Sequence, residues 1–98
     1  MKINIKQEFQ NGVAAHREGK LQKAEHFYRS ILRSKPTHPD ANHNMGVLLS
    51  SIGNFKEALP FYRNAISIDK KKEQYWANFI STLIKLGKIV DARKVISE

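Results

Sequence analysis

A period of 34 residues constrains this chain more than any other feature. Shifted by that length, residues 5–38 fall on 39–72 with seven identities: Gly12-Val13 on Gly46-Val47, Gly19 on Gly53, Ala24 on Ala58, and Phe27-Tyr28-Arg29 on Phe61-Tyr62-Arg63. Unrelated chains of average composition would share about two. A second shift carries Asn44 to Asn78, Leu49 to Leu83, Gly53 to Gly87 and Ala58 to Ala92, and the third copy is incomplete at Glu98. A unit this short cannot bury its own apolar face, so the copies must stack and share one core.

Inside each copy the apolar spacing is helical. Met45, Leu48, Leu49 and Ile52, and likewise Leu59, Tyr62 and Ile66, recur at steps of three and four residues. Gly53-Asn54 reads as a helix stop followed by a helix start, with Asn54 and Glu57 spaced as a capping box. Gly19 and Gly87 occupy the same turn, and Pro36 and Pro39 bracket the break between the first two copies, Pro39 suiting a first helical position. The pattern predicts antiparallel pairs of helices near 5–17, 21–34, 40–51, 55–68, 73–85 and 89–97. Pro60 lies in the second turn of its helix, where it removes a hydrogen bond to the Lys56 carbonyl; a bend rather than a break is expected, because the apolar pattern continues to Ile66.

Small residues at repeated positions say how a pair packs. Ala24, Ala58 and Ala92, with Gly12 and Gly46, let the two helices approach, and Tyr28, Tyr62 and Ile96 fill the space between them. Truncation of Leu49 or Leu83 is therefore expected to behave as a core truncation.

Composition narrows the function. With 98 residues there is room for one domain, and 41% apolar residues are too many for a disordered chain. The absence of cysteine excludes disulfides, thiolate zinc sites, iron–sulfur clusters and thiol nucleophiles. No apolar run is long enough to cross a membrane, and the start of the chain lacks the hydrophobic run of a secretory signal, so the expectation is a cytoplasmic protein with no membrane partner. The formal charge of +8 is concentrated in the first copy, on Lys23, Arg29, Arg33 and Lys35 among others, and Lys70-Lys71-Lys72 fills a junction. No helix-turn-helix or interleaved aromatic platform accompanies the charge, so it is read as a solubilising surface and nucleic acid is disfavoured as a partner. The four histidines, His16, His26, His38 and His43, form no metal-binding spacing on one helix. No nucleophile with its base, phosphate loop or carboxylate pair stands out. The expectation is therefore no enzyme, no metal and no cofactor.

The period and its fixed residues resemble the tetratricopeptide repeat, whose pattern is W-x2-L-G-x2-Y, then A-x3-F, then P. The second copy reads Asn42-x2-Met45-Gly46-x2-Leu49 and Ala58-x3-Tyr62; the third reads Trp76-x2-Phe79-Ile80-x2-Leu83 and Ala92-x3-Ile96. The first reads Glu8-x2-Asn11-Gly12-x2-Ala15, then Ala24-x3-Tyr28 and Pro36. The departures are polar Glu8 and Asn11, Ile80 for glycine, and Lys70 for proline. The texture of the first copy, with His16-Arg17-Glu18-Gly19-Lys20-Leu21, is similar to repeats that precede glycosyltransferase, sulfotransferase or methyltransferase domains in bacterial multidomain proteins.

The resemblance implies an all-α, right-handed superhelical stack of antiparallel helix pairs, one domain over 1–98 with repeats 5–38, 39–72 and an incomplete 73–98. It also implies a concave wall made by the first helix of each pair, where family members bind extended peptides or partner helices. Projected onto this chain, the wall comprises Phe9, Gln10, Val13, His16 and Arg17, then His43, Asn44, Val47, Ser50 and Ser51, then Ala77, Asn78, Ser81, Ile84 and Lys85. The candidate contacts are Gln10, Val13, Arg17, His43, Asn44, Val47, Asn78, Ser81 and Lys85. Gln10, Asn44 and Asn78, one period apart, form an expected row of amides able to pair with a peptide backbone. That row resembles the asparagine ladder of O-linked N-acetylglucosamine transferases; the alternative is that these amides bond within the repeats. The carboxylate clamp of chaperone-binding members needs Lys and Asn where this chain has Phe9 and Val13.

Two functions follow. One is a non-catalytic scaffold for a protein or peptide, and the other a substrate-presenting or oligomerisation arm of a larger transferase whose catalytic domain is absent here. Ending before the last helix completes its apolar face, the chain is also expected to expose an edge around Ile84, Ile89, Val95 and Ile96 on which two copies could pair.

Overall fold

A computed structural model describes residues 3–87, and within them the chain forms five helices: α1 (Ile5–Arg17), α2 (Leu21–Ser34), α3 (Pro39–Ser51), α4 (Phe55–Ile68) and α5 (Glu73–Lys85). No strand occurs among the described residues. The helix expected near 89–97, with Ala92 and Ile96, lies outside them.

The glycine turns follow one plan. Gly53 adopts a φ of +85°, where a side chain is strained, and its N–H bonds to the Ser50 carbonyl while that of Asn54 reaches back to Leu49. This is a Schellman closure. Gly19 and Lys20 repeat it on His16 and Ala15. The closure overturns the expected capping box. Asn54 does precede α4, but its side chain makes no cap hydrogen bond. Its backbone N–H, which Glu57 would have to reach, is already committed to Leu49.

Side-chain caps appear elsewhere. Asn4 accepts from the Gln7 N–H at 3.0 Å to start α1, and the His38 Nδ1 accepts from the Ala41 N–H at 3.0 Å to start α3, with Pro39 in the first turn. Asn42 closes the junction before α3. Its Nδ2 donates to the carbonyls of Pro36 (3.0 Å) and His38 (2.9 Å), and its Oδ1 accepts from Asn64 at 3.4 Å. In the sequence Asn42 is marked only by its place at the first position of the second copy's pattern.

Within each hairpin the small residues do what the pattern predicts. A Cβ built on Gly12 would lie 2.6 Å from the Tyr28 ring and one on Gly46 would lie 2.7 Å from the Tyr62 ring, so each glycine admits the tyrosine of the next helix. Both tyrosines, Ala24 and Ala58 are buried. One core runs through the pairs, from Ala15 and Tyr28 through Met45, Leu48 and Leu49 to Tyr75, Phe79 and Leu83. Burying a side chain of that size contributes roughly 1.5–3 kcal/mol. α3 is the middle plank of the stack, packed on α2, α4 and α5, and is buried on most of its faces. α4 continues through Pro60, whose ring is exposed, so the missing hydrogen bond faces solvent.

Candidate functional site

α3 and α5 lie side by side, and three polar bridges cross between them. At the N-terminal end the Tyr75 hydroxyl donates to Asp40, which also receives Lys72 Nζ at 3.0 Å. Lys72 therefore pairs with a carboxylate and sits over the Tyr75 ring, more than the solvated turn expected of that lysine run. In the middle, Asn78 Nδ2 donates to His43 Nε2 at 2.8 Å. Near the C-terminal end, Ser50 and Thr82 join their hydroxyls at 3.2 Å.

His43 is the hub of the middle bridge. Only 7% exposed, it stacks on Tyr75 with ring centroids 4.7 Å apart. Because Nε2 accepts from Asn78, the proton of the neutral ring is on Nδ1, which donates to Asn44 Oδ1 at 3.2 Å. Asn44 Nδ2 then donates to the Tyr28 hydroxyl at 3.4 Å. So Asn44 and Asn78, expected as independent rungs of an amide row, are tied together through a histidine. Gln10, the third rung, is exposed, and its side chain makes no hydrogen bond among the described residues.

The remaining expected contacts divide by depth. Arg17, Ser51, Ala77, Ser81 and Lys85 are exposed, and Phe9, Val13, His16, Val47 and Ser50 half-buried. Ile84 is 50% exposed, and its expected neighbours Ile89, Val95 and Ile96 lie outside the described residues. Phe9 leans on His38 with centroids 5.5 Å apart, so the seam between the first two hairpins combines this aromatic contact with the Asn44–Tyr28 hydrogen bond. Trp76 packs against the core and donates its Nε1–H to the Lys70 carbonyl at 2.7 Å. No group of three or more metal-binding side chains occurs among the described residues.

Between the C-terminal halves of α3 and α5 opens a cleft of about 230 Å³, lined by Val47, Ser50, Ser51, Tyr62, Asn78, Ser81, Thr82 and Lys85. Four of the expected contacts, Val47, Asn78, Ser81 and Lys85, meet there. Tyr62 and Thr82 were missed. Both sit at core positions of the repeat, and nothing in the periodicity says that their hydroxyls reach the edge of the wall.

Burial pushes the His43 pKa down, although the bond to Asn44 and the charge of Asp40 oppose it, and Lys72 adds a smaller push down. Burial also lowers those of His16 and His38. Below the ordinary histidine value of about 6.5 the unfolded chain takes up protons that the folded one resists. Stability is thus expected to fall as pH drops from about 7 through 6.5 toward the depressed folded values, and to be flat above. Asp40 adds nothing in that window. Burial pushes its carboxyl up, the Tyr75 hydroxyl and Lys72 outweigh burial and hold it low, and its contribution is lost only at still lower pH. Urea melts at pH 7.5 and 5.5 test this, and His43→Leu should reduce the difference while His16 and His38 maintain the rest.

A sequence profile described as tetratricopeptide repeat matches residues 15–77. The chain belongs to that family. The human protein O-mannosyl-transferase TMTC2 is 41% identical over 61 residues, which are 62% of this chain and 7% of that protein. Among solved structures, a crystal structure of MamA superposes with a TM-score of 0.89 at 18% identity, covering 96% of this chain and 55% of MamA. A mutant O-GlcNAc transferase from Thermobaculum terrenum gives 0.88 at 23% identity, over 99% of this chain and 19% of the enzyme. The second tetratricopeptide repeat domain of Spaghetti (RPAP3), bound to the HSP90 peptide SRMEEVD, gives 0.87 at 20% identity, over 95% and 86%. The chain therefore spans a small fraction of the curated relative and about half of MamA. The right-handed superhelical stack of helix pairs implied by the resemblance is the architecture of this tetratricopeptide repeat chain, with α1, α3 and α5 as the first helices of the successive pairs. No described helix is long and apolar enough to cross a membrane.

Proposed function

We propose that this chain is a non-catalytic scaffold that holds an extended peptide, or a segment of a partner domain, along the wall of α1, α3 and α5. The observation that carries the reading is the open cleft between α3 and α5, where Val47, Asn78, Ser81 and Lys85 converge. Small-molecule pockets run to about 300–1,000 Å³ and enclose their ligand. A smaller and open cleft suits one side chain of a segment lying across the wall. The peptide complex of Spaghetti supports such use of a similar fold. In this reading residues 1–98 act as one cytoplasmic domain with repeats 5–38, 39–72 and 73–98, the last incomplete. Gln10, Val13, Arg17, His43 and Asn44 extend the contact surface beyond the cleft.

Ser81→Arg tests the reading, because the new side chain would fill the cleft from an exposed position. It is expected to weaken binding of a fluorescent pool of extended peptides about tenfold or more, ~1.4 kcal/mol, at an unchanged melting temperature. Ser67→Arg, exposed on α4 and outside the cleft, is the control. Equal losses in both variants, or none in either, would overturn the proposal.

A second reading is supported by the two transferases among the relatives, of which this chain matches 7% and 19%. In it the repeats are a substrate-presenting or oligomerisation arm of a longer glycosyltransferase or sulfotransferase of bacterial type. A longer open reading frame encoding such a domain would decide for it.

A further inference from the structure

The cleft between α3 and α5 has a hydrogen-bond polarity that can be worked out from one fixed end. Thr82 donates its only hydroxyl proton to the Asn78 carbonyl at 2.9 Å, and a carbonyl can only accept. In the 3.2 Å contact with Ser50, Thr82 is therefore the acceptor and Ser50 the donor. Ser50 has no second proton, so in its 3.1 Å contact with Tyr62 it accepts and the tyrosine donates. The protons of Tyr62, Ser50 and Thr82 all run in one direction and end on the main chain. What these hydroxyls have left is lone pairs.

Asn78 extends the same polarity. Its Nδ2 gives one of its two protons to His43 Nε2, while its side-chain oxygen has no hydrogen-bond partner among the described residues, so this cleft-lining amide adds a free acceptor to the hydroxyl lone pairs alongside one remaining N–H. The donors at the rim are the Ser81 hydroxyl and the Lys85 ammonium, the latter held over the Phe55 ring at 5.7 Å. The floor asks its occupant for protons, and the rim offers some.

We infer that the cleft is a specificity subsite for the primary carboxamide of an asparagine or glutamine side chain, whose NH2 meets the acceptor floor while its C=O takes a proton from Lys85 or Ser81. This rests on the peptide-binding reading above and names the residue that the wall selects. A carboxylate would be drawn by Lys85 but would set acceptors against the floor oxygens, and an unpaired buried polar group is costly. An ammonium would suit the floor but meet Lys85 and a chain of net charge +8. A carboxamide satisfies both ends without a charge.

The test uses the N-acetyl methylamides of Asn, Asp, Lys and Leu as probes, titrated into the 15N-labelled chain while the amides of Ser50, Ser81, Thr82 and Lys85 are followed. The Asn probe is expected to move them at concentrations at least about fivefold lower than the others. Two variants reverse the polarity by different routes: Thr82→Val releases the Ser50 proton, and Ser50→Ala releases that of Tyr62. In each, the preference for Asn over Asp should shrink or invert; because Thr82 is buried, the exchange at half-buried Ser50 keeps the test valid if the threonine variant fails to fold. An Asp probe bound as well as Asn by the unaltered chain, or four probes that leave these amides unmoved, overturns the inference. Peptide pools that bind without preference for Asn or Gln overturn the inference and spare the scaffold reading. Pools that fail to bind while the Asn probe still does would do the opposite.

Discussion

Gly46→Val is expected to destabilise the fold by about 3 kcal/mol, above the middle of the range for overpacked cores. The new Cβ would lie 2.7 Å from one Tyr62 ring carbon and 2.9 Å from two others. Such contacts are tolerable only where the neighbour can swing away. Tyr62 is 1% exposed, and its hydroxyl is tied to Ser50, so the ring has nowhere to go. The helices α3 and α4 would have to separate, and with them the central hairpin. For a domain of this size the loss corresponds to a fall in Tm on the order of 15 °C by circular dichroism. Valine has a better helix propensity than glycine, which offsets a few tenths of a kcal/mol and not the clash. A melting temperature within a few degrees of the parent would show that the hairpin breathes enough to admit a side chain, and the close-packing argument would fail.

Leu49→Ala is expected to cost about 2–5 kcal/mol, while Ile52→Ala, three residues further on, should stay within about 0.5 kcal/mol. Leu49 is 4% exposed inside the shared core, and Ile52 is 50% exposed at the end of the same helix. The side chains are isomers, so the comparison isolates burial. α3 packs on three other helices, and a cavity at Leu49 cannot be relieved by the movement of one neighbour. Thermal and urea melts of the two variants decide the matter, and similar losses would mean that the stack carries its load at the turns instead.

Legibility in the sequence was uneven for physical reasons. The bounds of α1 to α5 were readable because helix periodicity, positive-φ glycines and prolines are local signals. Gly19 and Gly53 end helices by their own backbone freedom, and Pro39 begins one by its fixed φ. The close approaches at Gly12 and Gly46 were readable because the repeat presents the same pairing twice. The capping box at Asn54 misled, since a local motif was displaced by a backbone bond to Leu49 that the same turn makes. Asn42 passed unnoticed, because its partners Pro36 and His38 lie in a junction whose path the pattern does not specify.

The candidate site shows the same division more sharply. Which residues share the wall follows from the period combined with the helical repeat, so Val47, Asn78, Ser81 and Lys85 were nameable in advance. Their hydrogen-bond partners were not. His43 meets Asn78 across 35 positions, and Ser50 meets Thr82 across 32. By itself, the order of residues determined that this chain is helical, paired and stacked, because those outcomes depend on neighbours within a turn or two and on a repetition printed in the chain. Tertiary structure alone decided which amides are tied, which way the hydroxyl protons run and where the cleft opens. Those depend on the rotation of one hairpin against the next, and such a rotation is chosen by the fit of whole side chains across the seam.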